Sequence, residues 1–235
     1  MRTSYPRSIH FQKAIFVRVL FAVAAIVLLS VTIGAIEADA GPFAKRDMAG
    51  GRIGAWVNTG DEGTVTGING VQQTVSNANL FAELFYSHAF SNFFRADVGI
   101  GVSNRSDITA TTNTFTGGIN IYPVQLGLRV YPLGGTGLGK LYPYVLGGFG
   151  LYIGSQTGSS FRSLGIASST ATDLNYVVGG GIDIPVASTI AITTAAKYYQ
   201  IDFGSDGFLG LQDYSGYSIT AGVAYVFPTG GRKKR

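Results

Sequence analysis

Phe94-Arg95-Ala96-Asp97-Val98-Gly99-Ile100-Gly101-Val102-Ser103 decides the fold. Phe94, Ala96, Val98, Ile100 and Val102 put one apolar face on every second residue, and Arg95, Asp97, Gly99, Gly101 and Ser103 fill the other. Period two over this length is the signature of a strand with unlike faces, since successive side chains in a strand point to opposite sides.

The same alternation recurs along the chain. Tyr122, Val124, Leu126, Leu128 and Val130 alternate with Pro123, Gln125, Gly127 and Arg129. Leu174, Tyr176, Val178, Gly180, Ile182 and Ile184 alternate with Asn175, Gly179, Gly181 and Asp183, and Tyr217, Ile219, Ala221, Val223, Tyr225 and Phe227 with small or polar residues. Four weaker stretches, 51–58, 79–87, 141–153 and 189–201, bring the set to eight. Aromatics and glycines occupy both faces of 141–153, which leaves its facing open. A tilted strand crosses a bilayer in about 9–11 residues, whereas soluble strands run about 5–6. The predicted fold is therefore all-β: an eight-stranded antiparallel up-and-down transmembrane β-barrel.

The connections agree. Residues 59–78, 104–117, 154–172 and 202–213 are long and polar, and 88–92, 132–140 and 185–188 are shorter. Outer-membrane barrels pair short periplasmic turns with longer external loops. Lipid supplies no hydrogen bonds, so only a helix or a closed sheet can carry backbone across it. Trp56, Tyr122, Tyr131, Tyr142, Tyr176, Tyr198 and Tyr217, near strand ends, are read as an interfacial aromatic girdle.

Composition supports export and membrane residence. The 235 residues include 34 Gly, 13 Tyr and 15 Phe, no Cys, and only 13% charged residues, against about 25% in ordinary domains. Without Cys there is no disulfide framework, thiolate metal site or lipidated N-terminus. Residues 1–18 carry four positive charges, Val19 to Ile36 none, and Ala38-Asp39-Ala40 precedes Gly41. This order describes a secretory signal peptide over 1–40 with cleavage set by Ala38 and Ala40. An uncleaved membrane helix is the competing reading. A periplasmic N-terminal segment over 41–50, the barrel over 51–227 and a basic periplasmic tail over 228–235 follow. The net charge of +4 comes from the leader and tail, since between Gly41 and Gly231 nine Lys/Arg face eleven Asp/Glu. No basic footprint on the folded body calls for nucleic acid.

The last strand carries a family resemblance. Thr220-Ala221-Gly222-Val223-Ala224-Tyr225-Val226-Phe227 resembles the terminal assembly signal of outer-membrane barrels, with Thr220, Gly222, Tyr225 and Phe227 at its defining positions. With the leader and eight strands, residues 51–227 resemble the OmpA/OmpX/OmpW-like small barrels, the outer membrane protein beta-barrel domain group. That resemblance implies residence in the bacterial outer membrane, contact with its lipid and lipopolysaccharide, and the barrel-assembly machinery as a partner. The chain departs from the pattern by continuing eight residues past Phe227.

Chemical motifs are few. Gly134-Gly135-Thr136-Gly137-Leu138-Gly139-Lys140 matches most of a phosphate-binding loop, but Leu141 stands where Ser or Thr is needed and a strand, not a helix, follows. It reads as a turn, and no cofactor is implied. His88, the one histidine after the leader, falls on a predicted periplasmic turn with no carboxylate or nucleophile nearby in sequence. Neither a metal cluster nor a catalytic constellation is legible, and no enzymatic activity is expected.

Glu83, Arg95, Asp97, Arg129, Asp183 and Lys197 all fall on the inward register. Arg or Lys facing lipid at the midplane costs about 2–4 kcal/mol, which turns these residues toward the lumen. An eight-stranded interior is just wide enough to be filled by side chains, so a paired charge network is expected. A gated polar path is the alternative. The functional expectation is a monomeric structural or surface-interaction protein acting through its external loops, its ligand unspecified. A narrow channel for small solutes, as in OmpW-like proteins, is the runner-up.

Overall fold

The computed structural model describes residues 43, 45–61, 63–66, 71–75, 78–110, 115–134, 137–157, 169–208 and 211–227. The leader with Ala38 and Ala40 and the tail 228–235 lie outside the described residues. Eight antiparallel staves close into a barrel: β1 (Met48–Asn58), β4 (Ala78–Ala89), β5 (Phe94–Ala110), β6 (Phe115–Val130), β7 (Tyr142–Thr157), β8 (Thr170–Ala187), β9 (Ile190–Tyr199) and β10 (Gly216–Val226). Two shorter strands, β2 (Gly63–Thr66) and β3 (Val71–Val75), form a hairpin that joins the upper part of β5. The seam between first and last staves is paired over its full length, from Met48 opposite Val226 to Asn58 opposite Gly216.

Eight staves stand where the alternation put them, but several outrun it. β5 has 17 residues and β6 has 16, well beyond the ~9–11 a tilted strand needs to cross a bilayer. Much of 104–117, expected as loop, is therefore strand, with a bulge between Asn104 and Ser106. A strand above the bilayer has no lipid face, so the apolar period that marks the lower half stops while the backbone ladder continues. The expected loop 59–78 likewise contains β2 and β3, and β1 begins at Met48, inside the segment read as lying before the barrel.

Lipid-facing and lumen-facing residues alternate as required. Leu80, Leu84, Ile100, Leu126, Phe149, Leu174 and Ile219 point outward, while Glu83, Arg95, Asp97, Gln125 and Arg129 are buried. The open strand 141–153 resolves: Tyr142, Tyr144, Leu146 and Tyr152 face in, and Phe149 and Leu151 face out. The expected girdle is corrected in part. Tyr122 and Tyr176 are exposed, but Trp56, Tyr131 and Tyr142 are buried lumen residues. Nearness to a strand end says nothing about parity, and parity decides the face.

Gly222 is one of the close-approach positions of the seam, with Gly50 and Gly54 on the facing stave. A Cβ at Gly222 would fall within van der Waals distance of the Gly51 carbonyl oxygen and the Arg52 backbone. The glycine of the C-terminal signature thus lets β10 lie tightly on β1. Of the glycine-rich 134–140 segment, residues 135 and 136 lie outside the described residues; Gly134, Gly137 and Gly139 have positive φ, and 138–141 form a tight turn in which Leu138 N–H donates to the Leu141 carbonyl at 2.7 Å.

Candidate functional site: the charged lumen and its two closures

The middle of the lumen holds two ion-pair cells. In the first, Glu83 on β4 accepts from Lys197 on β9 at 2.5 Å and pairs with Arg52 on β1 at 2.8 Å. Gln125 on β6 donates to the same Glu83 carboxylate at 2.6 Å and accepts from Lys197 at 3.1 Å. Gly99 leaves the room for this cell, since a Cβ there would stand 2.9 Å from Glu83 Oε1. In the second cell Arg129 on β6 reaches Asp97 on β5 at 2.7 Å and Asp183 on β8 at 2.9 Å. Its guanidinium lies over the Tyr144 ring at 4.1 Å, and Tyr131 donates its hydroxyl to Asp183. Arg52 links the two cells by donating to the Tyr144 hydroxyl at 3.1 Å.

These charges are stable only as a set. Taking an ion from water into a low-dielectric interior costs several kcal/mol, and only good geometry with further hydrogen bonds offsets that cost. Here each carboxylate has a cation within 3 Å, and Arg52 and Arg129 stack on Phe85 at 4.3 and 5.5 Å.

Five of the six lumen charges expected from sequence sit in these cells. The sixth, Arg95, is inward and buried but pairs with no carboxylate. Sequence reasoning missed Arg52. Its signal lay in the weak strand 51–58, where Arg52, Trp56 and Asn58 share one parity and Ile53 and Val57 the other.

Among the described residues, packed side chains occupy both ends of the lumen. At the loop end Trp56 stacks on Tyr199 with ring centroids 4.4 Å apart, and Phe81 and Tyr152 pack edge-on around them. Above this layer the segment between β9 and β10 turns inward. Phe203, Phe208 and Tyr214 form a mutual cluster with centroids 5.6–6.1 Å apart. Phe203 and Phe208 rest over Gly154, where a Cβ would lie 2.9 and 2.6 Å from their rings.

At the opposite rim, where β1 begins, β10 ends and the short turns lie, Phe43 enters the lumen. Its ring packs on Tyr142 at 4.8 Å, and its carbonyl accepts from Arg95 Nη2 at 2.7 Å. Arg46 and Asp47 fasten the segment to the rim. Arg46 donates to the carbonyls of Ser188, Val226 and Phe227. Asp47 accepts from the Ala89 N–H, the Tyr86 hydroxyl and His88 Nδ1. Burial works against the Asp47 carboxylate, but those hydrogen bonds outweigh it and hold its pKa below the ordinary 3.8. His88 thus has the carboxylate that its sequence neighbourhood lacks. Ser87 next to it points into the lumen while His88 points outward, so the neighbouring hydroxyl lies on the other face of the sheet.

Thr220, Gly222, Tyr225 and Phe227 line the seam stave and its end. Thr220 and Gly222 face inward, Tyr225 and Phe227 outward, and the last two rings meet edge-on at 5.3 Å.

Solved structures share this architecture. The outer membrane protein OprG from Pseudomonas aeruginosa is 17% identical, covering 82% of this chain and 100% of its own, with a TM-score of 0.59. Neisserial surface protein A is 12% identical, covering 78% of this chain and 97% of its own, with a TM-score of 0.53. At such identities the likeness is one of fold. No curated protein sequence matches the chain. The outer membrane protein beta-barrel domain matches residues 21–227, and the chain belongs to that family.

Proposed function

We propose that this outer-membrane barrel is a structural or surface-interaction protein with a closed lumen, presenting its external loops to partners outside the cell. The observation that carries the reading is the filling of the lumen: aromatic block, ion-pair cells and Phe43 follow one another from end to end. Recognition residues are disproportionately found on loops held by a rigid scaffold. On the side away from the start of β1 and the end of β10, long staves and the paired β2 and β3 raise such a platform above the bilayer. The protein acts as a monomer without a cofactor or an enzymatic role. It reaches the membrane after removal of residues 1–40, so that the mature chain begins at Gly41.

Liposome swelling tests the reading. Vesicles carrying the protein should be no more permeable to small sugars and amino acids than empty ones. Rapid swelling would support the narrow-channel alternative.

A further inference from the structure

Arg95 is the cation that the ion-pair network leaves over. Among the described residues the lumen carries four bases, Arg52, Arg95, Arg129 and Lys197, and three acids, Glu83, Asp97 and Asp183. Glu83 is held by Arg52 and Lys197, and Asp97 and Asp183 by Arg129. Arg95 is 1% exposed, and its Nε and Nη1 have no hydrogen-bond partner. Its compensation comes from one backbone carbonyl, that of Phe43, and from two ring faces, Phe43 at 4.8 Å and Tyr131 at 5.1 Å. Across the strand pair it stands opposite Arg129, a second cation. The rim acid Asp47 is engaged by Ala89, Tyr86 and His88.

We infer that the rim mouth of the lumen is an oxyanion site built on Arg95, and that the Phe43 segment occupies it as an internal competitor. A guanidinium presents a planar set of donors suited to carboxylate and phosphate. Arg95 is the second residue of β5, directly after the turn that follows β4, so once Phe43 withdraws a small anion would reach it from the rim without crossing the lumen. The Phe43 carbonyl supplies the one acceptor, and its ring covers the cation. Arg46 and Asp47 hold the competitor close on separate rim contacts, three and four residues from Phe43, so Phe43 can withdraw while they stay in place. This inference goes beyond the loop-recognition reading and does not rest on it, because a closed loop end and an anion-binding rim are independent properties.

The test uses the mature chain in lipid nanodiscs, with inorganic phosphate as the probe and sodium chloride at matched ionic strength as the control. Phosphorus NMR line broadening reads phosphate binding. The chain has no cysteine, so a nitroxide on K45C, at an exposed position, reports whether the segment is docked. Phosphate, but not chloride, should shift the label from an immobile to a mobile spectrum in a saturable manner. Phe43→Ala should free the label and tighten the apparent phosphate affinity by about tenfold or more, because a site open a tenth of the time binds with its affinity reduced by that fraction. Arg95→Gln in the Phe43→Ala background should abolish the broadening, and Arg95→Lys should retain part of it. The inference is overturned if Phe43→Ala brings no gain in phosphate affinity, or if Arg95→Gln leaves the broadening intact. Should the Arg95→Gln protein fail to fold, the Phe43→Ala comparison alone decides. Liposome swelling is blind to this equilibrium, so failure of the two readings can be told apart.

Discussion

Arg129 and Asp183 meet at 2.9 Å across the inside of the barrel although 54 residues separate them in sequence. They sit on staves two apart, β6 and β8, with β7 between them. Their side chains span β7 on the concave inner face, which makes the pair a reporter of how these three staves curve together.

Arg129→Ala leaves Asp97 and Asp183 buried without their cation. Breaking a buried pair costs about 3–5 kcal/mol, and thermal unfolding of the micelle-bound barrel should fall accordingly. Asp183→Asn should be less harmful in the Arg129→Ala background than alone, because the carboxylate it removes is already unpaired there. Strictly additive losses would contradict a coupled cell.

Gly222→Val should impair assembly more than Ala221→Val. A Cβ at position 222 collides with the Gly51–Arg52 backbone, whereas Ala221 points outward. Phe227→Ala should also reduce insertion, and removal of residues 228–235 should matter far less. Heat-modifiable migration of membrane fractions measures all three. Equal assembly of wild type and Phe227→Ala would contradict the assignment of the C-terminal signal.

The rim fastening should be acid-sensitive at Asp47. Its folded pKa lies below the ordinary 3.8, so its contribution is fully present above the unfolded value and is lost as the pH falls through the lowered folded one. A nitroxide at position 45 should stay immobile from neutral pH down to about pH 4 and loosen only below it. Asp47→Asn should be loosened throughout that range. Release already between pH 7 and 5 would contradict this assignment.

The barrel was legible in the sequence because lipid on one side and packing on the other impose period two. Phe94–Ser103 displays that pattern without interruption, and its inward charges follow from parity alone. The upper halves of β5 and β6 were not legible, since a strand above the bilayer has no lipid face and loses the outward apolar period that marks the lower halves. Arg52 was overlooked because the small residues Gly51, Gly54 and Ala55 dilute the contrast between faces. Phe43 lay beyond reach for another reason. Its place in the lumen depends on Arg95 and Tyr142, which are near it only in three dimensions, and no local periodicity records such a contact.

Single-channel recording in planar bilayers tests the closed lumen most directly. The wild-type protein should show small or no conductance in either polarity, and Arg129→Ala should lower stability without creating a selective pathway. Large, steady conductance in the wild type, with ion selectivity altered by Arg129→Ala and stability unchanged, would contradict the account.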